Sequence, residues 1–238
     1  MDKKSSSAGP SDSSLSRGAS RLRYLGARAV PGLPVYGLLS RLIGYRATDC
    51  VWVDLEHWRP VSGETIAFEI RPVSVEEISS EAELKGENPE DAERALGSGA
   101  EVLGAFRDGS IISSLWISPH PPSLNGGLKL EFDERLAFFY RAFTLPEYRG
   151  MGLMPAVLGA ALGRCALQGY RGAVACIDIA NRPSRNAFRT AGFKRVVTIR
   201  YAKIFGKHLF HPSRRQEKPC FRVQPLAKNH ASGSPRSH

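Results

Sequence analysis

Leu153–Leu167 is apolar on nearly every face of a helix, and a helix of that kind must be well covered by the rest of a fold. Its flanks decide what covers it. Residues 136–145 (LAFFYRAFTL) and 172–179 (GAVACIDI) are apolar runs of strand length. Gly169 is placed to end the helix between them. A short helix over 182–190 and a last strand over 194–205 continue the alternation, which argues for an α/β fold with a mixed central β-sheet flanked by helices.

The first half of the chain reads less sharply. Residues 34–44 carry Leu38, Leu39, Leu42 and Ile43 at helical spacing. This short amphipathic helix suits docking on the core, or contact with a membrane surface or partner. Residues 50–55 and 66–71 read as strands, and 74–84 and 89–97 as helices, the second started by Asn88 and Pro89. Runs 101–107 and 110–117 make a hairpin turned at Asp108–Gly109. The Pro- and Gly-rich loop 118–127 is expected over one end of the sheet. The chain therefore divides into a disordered basic tail (1–28), an N-terminal extension packing on the core (29–65), the α/β domain (66–206) and a basic, largely irregular tail (207–238).

A net charge of +10 invites a nucleic-acid reading. The charge sits at the ends: residues 1–28 carry +4 and 207–238 carry +6, which leaves 29–206 nearly neutral. A neutral core disfavours nucleic acid as the partner. The tails suit weak contact with an anionic membrane surface, or solubility alone. Cys50, Cys165, Cys176 and Cys220 are dispersed without a CxxC pair, so neither a metal site nor a disulfide framework is expected. That spacing, the lack of an apolar leader and the lack of a spanning-length apolar run fit a cytoplasmic protein. The oligomeric state is not written in the sequence.

Two segments carry chemistry. In LPEYRGMGLMPAVL, a Gly-bearing turn joins a strand to a helix N-terminus. The first amides of a helix lack intrahelical partners and its dipole favours negative charge. Gly150 and Gly152 let an anion approach the main chain, and Arg149 adds a fixed positive charge. Alone, RGxG also fits a plain tight turn. In NRPSRNAFRTAGF, Asn181 can cap the next helix, Pro183 is tolerated in its first turn, Ser184 and Phe188 share a face, and Gly192 ends it. Alone, that segment also fits a well-capped helix.

Together, in this order and one helix and one strand apart, the two resemble the paired motifs of the GNAT acyltransferase superfamily. PEYRGMGL resembles its coenzyme A pyrophosphate loop, R/Q-x-x-G-x-G/A, with Arg149 first, Gly152 fourth and Met154 in a sixth position usually held by Gly or Ala. N-x-x-[AS]-x-x-x-[YF]-x-x-x-G-F resembles its C-terminal motif. The resemblance implies splayed central strands with acetyl-CoA or another acyl-CoA between them. It implies contacts from Phe143, Thr144 and Leu145, from the loop Arg149, Gly150, Met151, Gly152, Leu153 and Met154, and from Asn181, Ser184 and Phe188, with a main-chain amide near Thr144 polarising the thioester carbonyl. Phe188 stands where many members have a proton-donating Tyr, which argues for a different proton path.

The reaction so implied is attack of a primary amine, on an amino sugar or amino-acid-like small molecule, on the thioester. A non-catalytic acyl-CoA-binding module is the alternative. The amine must lose a proton. Asp178, on the strand leading to Asn181, has the best address for a base and is named with Asn181 as catalytic; it also suits capping of nearby backbone. Glu131, Asp133, Glu134, Tyr140 and His120 are further candidates.

Overall fold

The computed structural model describes residues 33–42, 45–59, 68–78, 89–120, 128–204, 207–212 and 222–225. The tail 1–28, residues 121–127 of the Pro-rich loop and most of the helix expected over 74–84 lie outside them.

In chain order the elements are α1 (Leu33–Leu42), β1 (Arg46–Asp54), β2 (Glu69–Pro72), α2 (Pro89–Gly97), β3 (Glu101–Arg107), β4 (Ser110–Ser118), β5 (Leu128–Glu131), β6 (Leu136–Thr144), α3 (Leu153–Leu167), β7 (Gly172–Asp178), α4 (Arg182–Thr190), β8 (Lys194–Ile204), β9 (Lys207–Pro212) and β10 (Arg222–Pro225). Among the described residues an eight-stranded sheet runs β2-β3-β4-β6-β7-β1-β8-β9. Its neighbours are antiparallel except β6 and β7, the parallel pair that α3 connects.

The hairpin turn holds as its chemistry requires. Asp108 and Gly109 both take positive φ, 50° and 76°, the geometry that a two-residue hairpin loop needs. Three strands come from outside the expected domain, β1 and β9 in the eight-stranded sheet and β10 in a separate two-stranded sheet with β5. β1, from the segment expected to pack against the core, lies between β7 and β8 and pairs antiparallel with both. β9 and β10, from the tail expected to be irregular, pair with β8 and β5. The strand read over 50–55 overlaps β1, which starts earlier, at Arg46, whereas β9 and β10 were hidden by charge: Lys207 and Arg222 break the apolar patterns that mark a strand.

Helices α3 and α4 cover one face of the sheet. Leu153, Val157, Leu158, Ala161, Leu162 and Cys165 of α3 are buried in the cluster that holds Ala137 and Phe139 of β6 and Ala173, Ala175 and Ile177 of β7. The expectation of burial all round is corrected here. One stripe of α3 is buried, while Ala160 and Ala166 are exposed and Leu167 is 91% exposed. Small side chains cost little when left in water, so apolar composition overstated coverage. On the outer side, Arg164 Nε donates to Glu101 Oε2 at 2.6 Å, tying α3 to β3. The opposite face carries α2, packed near Val102, Phe106 and Trp116, and a second layer in which Leu130 of β5 meets Leu136, Phe138 and Val174.

Candidate functional site

The parallel pair opens part-way along. Leu136–Phe139 pairs with Gly172–Ala175, and beyond that residues 140–144 of β6 and 176–178 of β7 run on without pairing to each other. A bulge bends β6 at this point. Ser114 faces Phe143 and Trp116 faces Tyr140, so β6 holds one residue more than β4 between them, and Arg141 sits there with φ 49°. An extra residue turns a strand and sharpens its twist. The splay expected from the resemblance thus has a cause in the chain's own register.

Main-chain groups on β6 face the opening. The Leu145 amide donates to the Ile112 carbonyl of β4 at 2.9 Å. Adjacent residues of an antiparallel strand point these groups to opposite edges, so the amide and carbonyl of Thr144 face away from β4. Arg149 Nε donates to the Thr144 carbonyl at 3.1 Å, and the Thr144 hydroxyl lies 2.9 Å from the Ser113 hydroxyl, which fixes this end of β6.

The turn that follows leads into α3. Gly150 and Gly152 have φ of 83° and 74°, and a Cβ on either would meet nothing within 4 Å. Glycine is thus required by conformation and not by crowding. Gly152 is the N-cap of α3 and accepts from the Ala156 amide at 3.2 Å. Of the four amides that a helix start leaves over, those of Gly152, Leu153 and Met154 exist, while Pro155 has none. Asn181 caps α4, its Oδ1 accepting from the Ser184 amide at 3.2 Å.

A cavity of about 490 Å³ lies where these parts meet, lined by β6, the turn, the start of α3 and one side of α4. Of the residues named from sequence, Phe143, Thr144, Arg149, Gly150, Gly152, Leu153, Met154, Asn181 and Ser184 line it. Four do not. Leu145 packs against the core and Met151 is 53% exposed. Asp178 Oδ1 accepts from the Ala180 amide at 2.9 Å, holding the turn before α4. Phe188 is 3% exposed and meets Phe193 edge-to-face at 4.9 Å between centroids. Ser184 and Phe188 were expected to share a face. Four residues turn a helix about 40° past a full turn, and here that rotation carries Phe188 from the cavity wall into the core.

Most of the remaining base candidates sit at the far end of β6. Asp133 and Glu134 precede Leu136, whereas the cavity reaches Ala142–Thr144; eight residues of strand span about 26 Å. Arg135, donating to both Asp133 oxygens, holds that carboxyl well down, to about 2. His120 follows Ser118, which faces Phe138, so it lies toward the same far end. Tyr140 stacks with Phe138 and meets Trp116 at a tilt on the face away from α3. Among the described residues one group with metal-ligand chemistry, Asp54, Glu56 and His57, clusters. Its members bond to one another in an exposed turn after β1, outside the cavity wall.

Residues 69–193, more than half of the chain, match the family model for the acetyltransferase (GNAT) family. The chain belongs to that family. No curated protein matches this chain in sequence. Solved structures share its fold at low identity. A Drosophila protein matches over 82% of this chain and 58% of its own length, at 16% identity and TM-score 0.51. The GCN5-related glucosamine N-acetyltransferase region of a fungal multi-domain β-N-acetylglucosaminidase matches over 76% of this chain and 23% of its own, at 12% identity and TM-score 0.51. A GNAT acetyltransferase from Colwellia psychrerythraea matches over 67% and 57%, at 14% identity and TM-score 0.48. This chain thus spans less than two thirds of each of the three.

Tyr148, Pro183, Asn186, Ala187 and Thr190 also line the cavity and were not named as site residues from sequence. Pro183, Ala187 and Thr190 recur at helical spacing, so the wall was available once α4 was placed. No helix among the described residues is long and apolar enough to cross a membrane.

Proposed function

We propose that the protein transfers an acetyl group from acetyl-CoA to a primary amine on a small molecule. The observation that carries this reading is the convergence of both motifs on one cavity at the open seam between β6 and β7. The amides of Gly152, Leu153 and Met154 suit a pyrophosphate, with the positive end of α3 behind them. Arg149 adds charge at the same rim. The pantetheine arm runs toward the Thr144 amide, which donates to the thioester oxygen as charge develops on it.

Holding amine and thioester together supplies much of the rate. The described lining of the cavity includes no carboxylate and no imidazole, which supports a proton path through water. Phe188 cannot return a proton to the thiolate; coenzyme A tolerates this, because thiols ionise at mildly basic pH. A cytoplasmic setting is part of the proposal and rests on the dispersed cysteines.

The test is release of free coenzyme A by the purified full-length protein from acetyl-CoA, measured across a panel of amines. Amino sugars head the panel, since the fungal region of the same fold is a glucosamine N-acetyltransferase. Release that depends on an acceptor supports the transferase. Tight acetyl-CoA binding with no turnover on any amine overturns it in favour of a binding module.

A further inference from the structure

Cys50 and Cys176 stand directly opposite each other on β1 and β7. Their sulfurs are 3.3 Å apart, and either thiol can donate a hydrogen bond to the other. The register says what kind of pair this is. The Leu55 amide donates to the Arg171 carbonyl at 2.9 Å, and the Ile179 amide to the Ala47 carbonyl at 3.0 Å. Both bonds fall on odd-numbered residues of β1 or the segment that follows it, so Cys50 belongs to a non-hydrogen-bonded pair. Such pairs bring Cα atoms to about 4.5 Å and side chains closest together. Disulfides accept Cα separations of about 4.4–6.8 Å, and closing the sulfurs to bonding distance takes a movement of roughly 1.3 Å.

We propose that Cys50 and Cys176 form a reversible intrachain disulfide that staples the N-terminal strand β1 into the sheet. Cys176 is partly exposed and Cys50 is fully buried, so the two have distinct roles. The Cys176 thiolate attacks a small disulfide, breaks its S–S bond and releases one small thiol. The Cys50 thiolate then attacks the Cys176 sulfur of the mixed disulfide and displaces the second. Two protein thiols are oxidised, one small disulfide is reduced, and the two protein protons end on the two released thiols. The Cys50 thiol beside it, together with burial, holds the Cys176 thiol above its ordinary pKa, so the exchange is slow at neutral pH and faster in mild base. Cys165 is buried under α3 and its thiol is pushed up to about 12 by burial, which keeps it out of the exchange.

The staple joins residues 126 apart in sequence, and long loops gain most from closure. It acts on β1, which holds β7 and β8 together although it comes from the other end of the chain. The inference does not depend on the acyl-transfer reading.

The experiment incubates the full-length protein with 2-hydroxyethyl disulfide at pH 8. Peptide mapping by mass spectrometry and thermal melting follow, with and without later reduction. The expected result is a Cys50–Cys176 crosslinked peptide and a melting temperature raised by roughly 5–15 °C, both reversed by reductant. Cys50→Ala, a small change at a buried site, is expected to hold the probe as a mixed disulfide on Cys176 and to show no rise. A wild-type protein carrying the probe on Cys176 with Cys50 still free overturns the proposal. So does a crosslink through Cys165, or a crosslink that leaves the melting temperature unchanged.

Discussion

The carboxylate of Asp49 lies 3.1 Å from Nε of Arg185, and this contact fixes a wall of the site from the far end of the sequence. Asp49 is 2% exposed on β1. Its Oδ1 accepts from the Thr198 hydroxyl of β8 at 2.6 Å, and Arg185 also donates to the Ile179 carbonyl at 3.2 Å in the turn before α4. A buried carboxylate persists only when paired and hydrogen-bonded, and here the pairing orients α4, whose other side lines the cavity.

Asp49→Ala is therefore expected to lower stability and coenzyme A affinity together. Breaking a fully buried pair costs about 3–5 kcal/mol. The Arg185 side chain is 39% exposed, and water offsets part of that, so a loss of about 1–3 kcal/mol is expected. Asp49→Asn keeps an acceptor for Thr198 and should lose less. Thermal melts and a coenzyme A titration of both variants check this. An Ala variant that melts and binds like the wild type contradicts it.

Gly152 separates conformation from charge. Its φ of 74° disfavours any side chain, yet a Cβ would meet no atom within 4 Å. Gly152→Ala should fold, with a cost of about 1–2 kcal/mol from the left-handed backbone. Gly152→Asp carries the same strain and adds a carboxylate where the pyrophosphate is proposed to lie. Its coenzyme A affinity should fall at least tenfold below that of the Ala variant. Equal affinities for the two would place the pyrophosphate elsewhere.

These pairs show what was and was not legible in the sequence. The site's local half was readable because short-range rules govern it. Asn181, Pro183 and Gly192 bound α4, and Gly150 and Gly152 take the positive φ that the turn demands. The long-range half was not. Nothing beside Asp49 in the sequence points to Thr198 or Arg185, which the fold brings to it. Phe188 reads as a site residue until Phe193 claims its ring. The bulge at Arg141, which opens the seam, depends on the pairing of β6 with β4 and leaves no mark in either strand's periodicity.

Asp178 gives a third test. Its address beside Asn181 suggests a base or a cap on nearby backbone, and its Oδ1 accepts from the Ala180 amide at 2.9 Å. Asn retains an acceptor oxygen of the same shape, so Asp178→Asn should keep turnover within about threefold of wild type if the carboxylate serves the backbone alone. Asp178→Ala removes the acceptor and should cost about 1 kcal/mol of stability. A hundredfold or greater fall in turnover for the Asn variant, with coenzyme A affinity intact, would return Asp178 to the chemistry.

The last prediction concerns pH. Glu77 accepts from both Arg71 nitrogens, at 2.7 and 3.0 Å, and from the Ser74 amide at 2.8 Å; Ser74 Oγ in turn accepts from the Glu77 amide at 3.3 Å. This reciprocal cap starts the helical turn over 75–78. Arg71, and after it the Ser74 amide, hold the Glu77 carboxyl down to about 2. A free glutamate titrates near ~4.3. The folded state therefore binds the proton less readily than the unfolded state, and stability must fall as the unfolded form gains protons. The contribution is fully present above about pH 5 and is lost as pH falls toward 2. Glu77→Gln abolishes the titration. The difference in melting temperature between wild type and Glu77→Gln should be steady from pH 7 to 5 and close as pH falls toward 2. A difference that stays constant to pH 2 would show that the ion pair with Arg71 carries none of it.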